Sequence, residues 1–159
     1  MKDERSGIVG TGFYLPERVL TNADLEKMVE TTDAWIVERT GIKERRIAAA
    51  GEAVSAMAEK ASRSALAAAG VTPEELDLII VGTFTPDRPL PASSCLLGGR
   101  LGNHRAACFD ISAACCSFIY ALEVADKLLR AGEYRTALVV AAEKISAVTD
   151  WKDRDTCVL

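Results

Sequence analysis

Histidine occurs once in these 159 residues, at His104, and the five cysteines contain no Cys-x-x-Cys pair. A zinc centre needs several such ligands at close spacing, so no metal site is expected. The cysteine count is odd and the start Met1-Lys2-Asp3-Glu4-Arg5 leads into no signal-peptide core, so disulfides are not expected either. No apolar run approaches the roughly eighteen residues that cross a membrane, and a cytoplasmic location with no membrane partner is expected. Nineteen basic against twenty-three acidic residues leave a net charge of −4, which argues against a general nucleic-acid role. Low-complexity tracts, internal repeats and linkers are all missing. With 49% hydrophobic and 26% charged residues, what remains is an ordinary soluble globular chain of single-domain size.

What is present centres on one turn, Ala107-Cys108-Phe109-Asp110-Ile111-Ser112-Ala113-Ala114-Cys115-Cys116-Ser117-Phe118. A short apolar run ends in small residues, and a longer run with helical spacing follows from Cys116 to Arg130. The apolar positions of that run cover more than one face, so a largely buried helix is expected, with Lys127 and Arg130 in its last turn and Gly132 as its stop. Cys115 falls at or just before the first turn, where unpaired N–H groups and the helix dipole stabilise an anion and can expose a thiolate. A small hydrophobic cysteine explains the same spacing, and the residues alone leave both readings open.

Taken in order, Ile8 to Pro16 reads as a first strand broken by glycines, without the third glycine of a dinucleotide loop. Thr21 or Asn22 can cap a short helix through Val29, and Thr32 or Asp33 a second through Arg39, stopped by Gly41. The second helix puts Trp35 and Arg39 on one face, suited to a base and a phosphate or to simple packing. Arg39, Lys43, Arg45 and Arg46 form a local basic cluster that a solvated loop would also explain. Ala53 to Ala69 predicts a helix packed on something flat, and Thr72-Pro73-Glu74-Glu75 has capping-box order. Leu78 to Thr83 reads as a strand buried on both faces, and Ala107 to Ile111 and Thr136 to Ala142 read as further strands. The alternation of strand and helix predicts an α/β layered domain with a mixed, mostly parallel sheet. Thr83 to Pro91 holds three of the five prolines just past a strand end, where such sheets build their sites. His104 reads as a surface loop residue. The tail Asp153 to Leu159 reads as the start of another strand, so a truncated chain is expected.

Several stretches together resemble β-ketoacyl-acyl-carrier-protein synthase III, the initiating condensing enzyme of the thiolase superfamily. They are Gly10-Thr11-Gly12 with Tyr14-Leu15-Pro16, Thr21-Asn22-Ala23-Asp24-Leu25, Asp33 to Ile42 with Trp35 and Arg39, Asp110-Ile111-Ser112-Ala113-Ala114-Cys115, and Asp153-Arg154-Asp155-Thr156. The resemblance implies a thiolase-like fold, with residues 1–159 as an amino-terminal half and the carboxy-terminal half absent. It implies that Cys115, not Cys116, is the acyl-accepting nucleophile. It also implies that Trp35 stacks on the adenine of coenzyme A, that Thr31, Arg39 and Arg154 contact the same ligand, and that Leu90 closes the acyl pocket of a neighbouring subunit.

The implied reaction is acyl transfer from acyl-coenzyme A to Cys115, then decarboxylative condensation with malonyl-acyl-carrier protein. The acyl-coenzyme A is a substrate, no cofactor is implied, and a homodimer is. Two features depart from the pattern. Ser117 stands where related sequences commonly carry glycine, and the histidine and asparagine of the second half have no counterpart here. Two alternatives remain open: a starter-unit enzyme of polyketide or alkylquinolone assembly, and a non-catalytic half that binds coenzyme A.

Overall fold

The computed structural model describes residues 6–159. In chain order it contains β1 (Arg18–Thr21), α1 (Asn22–Leu25), α2 (Asp33–Thr40), β2 (Glu44–Ile47), α3 (Val54–Ala69), β3 (Leu78–Gly82) and α4 (Ser93–Leu101). β4 (Ala107–Ile111), α5 (Ser117–Arg130), β5 (Ala137–Ala141) and α6 (Arg154–Cys157) follow, with 3-10 turns at Pro73–Glu75, Ala114–Cys116 and Ile145–Ala147. These elements form two compact units. One holds the described residues up to Tyr14 together with Ala53–Glu143, the other Leu15–Glu52 with Lys144–Leu159.

In the first unit β3 runs between β4 and β5, parallel to both. Every residue of β3 is buried, as its unbroken apolar run requires of a strand covered on both faces. Strand alternation sends Ile79 and Val81 to one side, where they pack with Ala58 and Leu66 of α3 and Leu97 and Leu101 of α4. Leu78 and Ile80 point the other way, onto Ala121 and Ala125 of α5. Helices therefore cover both faces of an all-parallel sheet, the layered α/β arrangement the alternation predicts.

In the second unit β1 and β2 pair antiparallel, Leu20 opposite Arg45. Thr21 caps α1, its hydroxyl accepting from the Asp24 N–H at 3.2 Å. Thr32 caps α2, accepting from the Trp35 N–H at 3.1 Å, and Gly41 ends that helix at φ 72°. Leu25, Ile36, Cys157 and Val158 form the core of this unit.

The structure differs from the sequence expectations in four places. Residues 8–16 form no strand. Within this stretch a Cβ at Gly10 would lie 2.5 Å from the Ala65 carbonyl oxygen and one at Gly12 2.4 Å from that of Ala61, so the glycines let an extended segment lie directly on α3. The tail is the short helix α6, capped by Asp153, whose carboxylate accepts from the Asp155 N–H at 3.0 Å. α1 stops at Leu25, before Val29. Finally, α5 is covered only on its Ala121 and Ala125 side, while Phe118, Ile119 and Tyr120 are exposed, because no described element packs over them. Helix α4 fills the place between β3 and β4 where the alternation requires a helix without giving its range, and the β1–β2 pair is an addition to the expected order.

Candidate active site

Gly82 at the end of β3 is level with Ile111 of β4 and Ala141 of β5. The segments that leave these strands, from Thr83, from Ser112 and from Ala142, thus emerge along one edge of the sheet. This is the carboxyl edge, where open parallel sheets collect their functional groups.

The second of those segments carries Cys115. After β4 the chain makes the tight turn Ala114–Cys116, and Ala114 sits at φ 46°, in the left-handed region. Holding an L-residue there costs about 1–2 kcal/mol, a cost the surrounding bonds must cover. One of them is the Ala113 N–H donating to the Ser117 hydroxyl at 2.8 Å, another the Cys116 N–H donating to the Ala113 carbonyl at 3.0 Å. Ser117 is buried and begins α5, so its side chain fastens the turn to the helix start. The Ser117 side chain, which the resemblance would replace by glycine, is thus engaged by a specific bond. Cys115 itself is exposed at the head of this turn.

Three carboxylates to which the sequence assigns no role fix the neighbouring segment. Glu143 accepts from the Phe84 N–H at 2.8 Å, the Thr85 hydroxyl at 2.6 Å and the Thr83 hydroxyl at 3.2 Å, which ties the loop after β3 to the end of β5. Asp87 accepts from the Ser55 N–H at 3.2 Å at the start of α3. Asp110 accepts from the Ser93 N–H at 2.7 Å and the Ser94 N–H at 2.8 Å, capping α4 from within β4. Charge-assisted bonds of this kind are roughly twice as strong as neutral ones. Between these anchors stands Leu90, 83% exposed, offered outward from a loop that is held at both ends. Sequence spacing could not reveal these anchors, because each joins residues distant in the chain.

The five thiols fall into two classes. Cys95, Cys115 and Cys116 are exposed, whereas Cys157 is fully buried and Cys108 partly so. Burial, reinforced by the adjacent Cys95, pushes the Cys108 thiol up to about 11, and burial also raises Cys157. Alkylation proceeds through the thiolate, so a raised pKa slows it. Timed iodoacetamide labelling at slightly alkaline pH should therefore modify Cys95, Cys115 and Cys116 first and Cys108 and Cys157 only after unfolding. Early modification of Cys108 in folded protein would contradict this order.

The second unit gathers the other expected residues. The guanidinium carbons of Arg39 and Arg154 each lie 4.7 Å from the centroid of the Trp35 ring. Arg154 is also 3.8 Å from the Asp155 carboxylate. Trp35 is partly buried against the Leu25 and Ile36 cluster, so its ring is packed as well as stacked by the two guanidinium groups. The hydroxyl of Thr31 is buried and has no hydrogen-bond partner among the described residues. Of the basic cluster, Arg45 turns inward, donating to the Asn22 side-chain oxygen and the Val158 carbonyl, and its burial lowers its pKa. Asn22 in turn donates to the Asp33 carboxylate at 2.7 Å and the Ile42 carbonyl at 2.9 Å, clasping both ends of α2. The structure thus joins Trp35, Arg39 and Arg154 within one unit and holds Cys115 and Leu90 in the other. His104 is exposed, and no cluster of three or more metal-ligating side chains occurs among the described residues. No helix among them is long and apolar enough to cross a membrane.

A family model described as 3-oxoacyl-[acyl-carrier-protein] synthase III matches residues 109–159. A curated β-ketoacyl-[acyl-carrier-protein] synthase III of Rhodospirillum centenum is 57% identical over 155 residues, which are 98% of this chain and 48% of that protein. The crystal structure of the 3-oxoacyl-[acyl-carrier-protein] synthase III of Aquifex aeolicus superimposes with a TM-score of 0.93 at 53% identity, over 96% of this chain and 49% of that one. A priming β-ketosynthase of the R1128 polyketide pathway superimposes with a TM-score of 0.94 at 40% identity, over 98% of this chain and 47% of that one. The chain spans about half the length of the relatives it matches. Its α/β fold is thiolase-like.

Proposed function

From the relationship of this chain to β-ketoacyl-acyl-carrier-protein synthase III, which extends over nearly its whole length, we propose that it is the amino-terminal half of a condensing acyltransferase that initiates fatty-acid synthesis, with Cys115 as its nucleophile. The observation that carries this reading is the exposed Cys115 on a strained turn at the carboxyl edge of the parallel sheet. The Cys115 thiolate attacks the thioester carbonyl of acyl-coenzyme A. The tetrahedral intermediate collapses, the bond to the coenzyme A sulfur breaks, and the acyl group stays on Cys115. The backbone N–H at Cys115, ahead of the start of α5, is the kind of donor that would stabilise the developing oxyanion. Decarboxylation of malonyl-acyl-carrier protein then generates a carbanion that takes the acyl group and releases the cysteine. That second step needs the histidine and asparagine of a carboxy-terminal half.

Coenzyme A is assigned to Thr31, Trp35, Arg39 and Arg154, and no cofactor is needed. A flat ring suits the adenine, and guanidinium forks suit phosphates. Leu90 is assigned to the acyl pocket of a partner copy in a homodimer, consistent with its exposure. The exposed row Phe118, Ile119 and Tyr120 suits coverage by the carboxy-terminal half. The reading places the enzyme in the cytoplasm.

Intact-protein mass spectrometry after mixing with acetyl-, branched and longer acyl-coenzyme A tests the first step. One acyl adduct, on Cys115, is expected, and the compound that gives it fastest reveals the primer. Strong preference for a longer chain would favour the starter-unit reading, to which the similarity with the priming ketosynthase lends weight. Absence of an adduct with folded, coenzyme A-binding protein would favour a non-catalytic binding half. Trp35→Ala should weaken coenzyme A binding by about 1–3 kcal/mol, the worth of stacking one base, or roughly fivefold to 150-fold in Kd. Unchanged affinity in equilibrium dialysis would remove Trp35 from the site.

A further inference from the structure

Cys115 and Cys116 are consecutive, and both are exposed and unpaired. They share the turn Ala114–Cys116, ahead of the point where α5 begins at Ser117. No other pair of cysteines is adjacent in the chain. Cys157 is buried, Cys108 is partly buried, and Cys95 stands on α4.

We infer that Cys115 and Cys116 form a vicinal dithiol that hydrogen peroxide closes into an intramolecular disulfide, a reversible modification that masks the Cys115 sulfur and spares it irreversible oxidation. The Cys115 thiolate attacks one peroxide oxygen; the O–O bond breaks, hydroxide leaves, and a sulfenic acid remains. The Cys116 thiolate then attacks that sulfur. The S–O bond breaks, the S–S bond forms, and the departing hydroxide is protonated to water. Two thiols and one peroxide give one disulfide and two waters, so both sulfurs are oxidised and the peroxide is reduced.

Adjacency in the chain makes Cys116 the resolving thiol, since an intramolecular reaction outruns capture by a dilute thiol in solution. Adjacency also makes the product labile. Consecutive Cα atoms are about 3.8 Å apart, closer than the roughly 4.4–6.8 Å that disulfides favour. A ring closed at that spacing is strained and opens readily to thiols. Because the pair stands in the turn, ring closure rotates residues ahead of the α5 ladder and leaves the interior of the helix intact. A lone exposed nucleophile would instead proceed from sulfenic to sulfinic acid, which thiols do not reverse.

The test is intact-mass and peptide mass spectrometry of the full chain after graded hydrogen peroxide, followed by dithiothreitol, and it requires no acyl transfer. Wild-type protein should lose two hydrogens at the Cys115–Cys116 peptide bond segment, become unreactive there to iodoacetamide, and recover fully on reduction. Cys116→Ser and Cys116→Ala should instead gain two oxygens on Cys115, with no recovery. Both replacements fall at an exposed position, and thermal unfolding reports whether each remains folded. The proposal is overturned if wild-type Cys115 accumulates sulfinic acid as fast as in the variants. It is equally overturned if the disulfide formed joins Cys115 to Cys95 or to a second chain.

Discussion

Cys115→Ser should abolish the acyl adduct, lowering its rate of formation on the order of a thousandfold or more, while coenzyme A affinity and thermal stability stay close to wild type. The separation of effects follows from placement. Cys115 is exposed at the head of its turn and contributes nothing to either core cluster of the sheet, so its loss removes a nucleophile and leaves the packing alone. The residues assigned to coenzyme A lie in the other unit. Cys116 provides the internal control. It is also exposed and one residue away, so Cys116→Ser should still accept the acyl group and the Cys115 variant should not. Transfer to Cys116 in the Cys115→Ser protein would mean that exposure, and not the turn, selects the acceptor. Mass spectrometry with residue-level localisation distinguishes the two.

The parts of this molecule that could be read from sequence are those encoded locally. The α2 helix shows its Thr32 cap and its Gly41 stop within ten residues, and β3 shows its burial as an uninterrupted apolar run. The turn at Cys115 is likewise written in contiguous small residues between a strand and a helix. What could not be read depends on distant partners. Residues 8–16 have strand composition, yet the backbone at Gly10 and Gly12 lies on α3, about fifty residues further along the chain. The tail has an apolar end, yet Cys157 and Val158 join the cluster of Leu20, Leu25 and Ile36, and a helical turn is what brings them there. Arg45 reads as one more surface cation until Asn22 and Val158 claim it. The anchors Asp87, Asp110 and Glu143 share this character. Each is an ordinary acidic residue in sequence and becomes informative only when the N–H groups it accepts from are seen.

Gly82→Ala should disturb the nucleophile from the opposite end of its support, and Ser117→Gly should relieve that disturbance. A Cβ at Gly82 would lie 2.8 Å from the Ser117 Cβ and 3.2 Å from its carbonyl carbon. Neither atom can yield cheaply, since Ser117 is buried, starts α5 and accepts the Ala113 N–H. Overpacking of this kind costs about 1–3 kcal/mol. Here the displaced atoms also carry the turn, so the acylation rate of Cys115 should fall together with stability. Ser117→Gly alone should lose the bond to Ala113 and some helix propensity, a cost of about 1–2 kcal/mol. In the double variant the added methyl meets no Cβ, and the two losses should sum to more than the measured total, with a coupling of about 0.5–3 kcal/mol. Denaturant unfolding gives the stability cycle, and adduct formation with acyl-coenzyme A gives the kinetic one. Strict additivity in both would mean that the strand end and the helix start are independent. Coupling in stability without coupling in rate would mean that α5 shifts as a body while the turn holds its shape. Coupling in both would tie the orientation of Cys115 to a single glycine at the end of β3, and it would explain how a serine is tolerated at the head of α5.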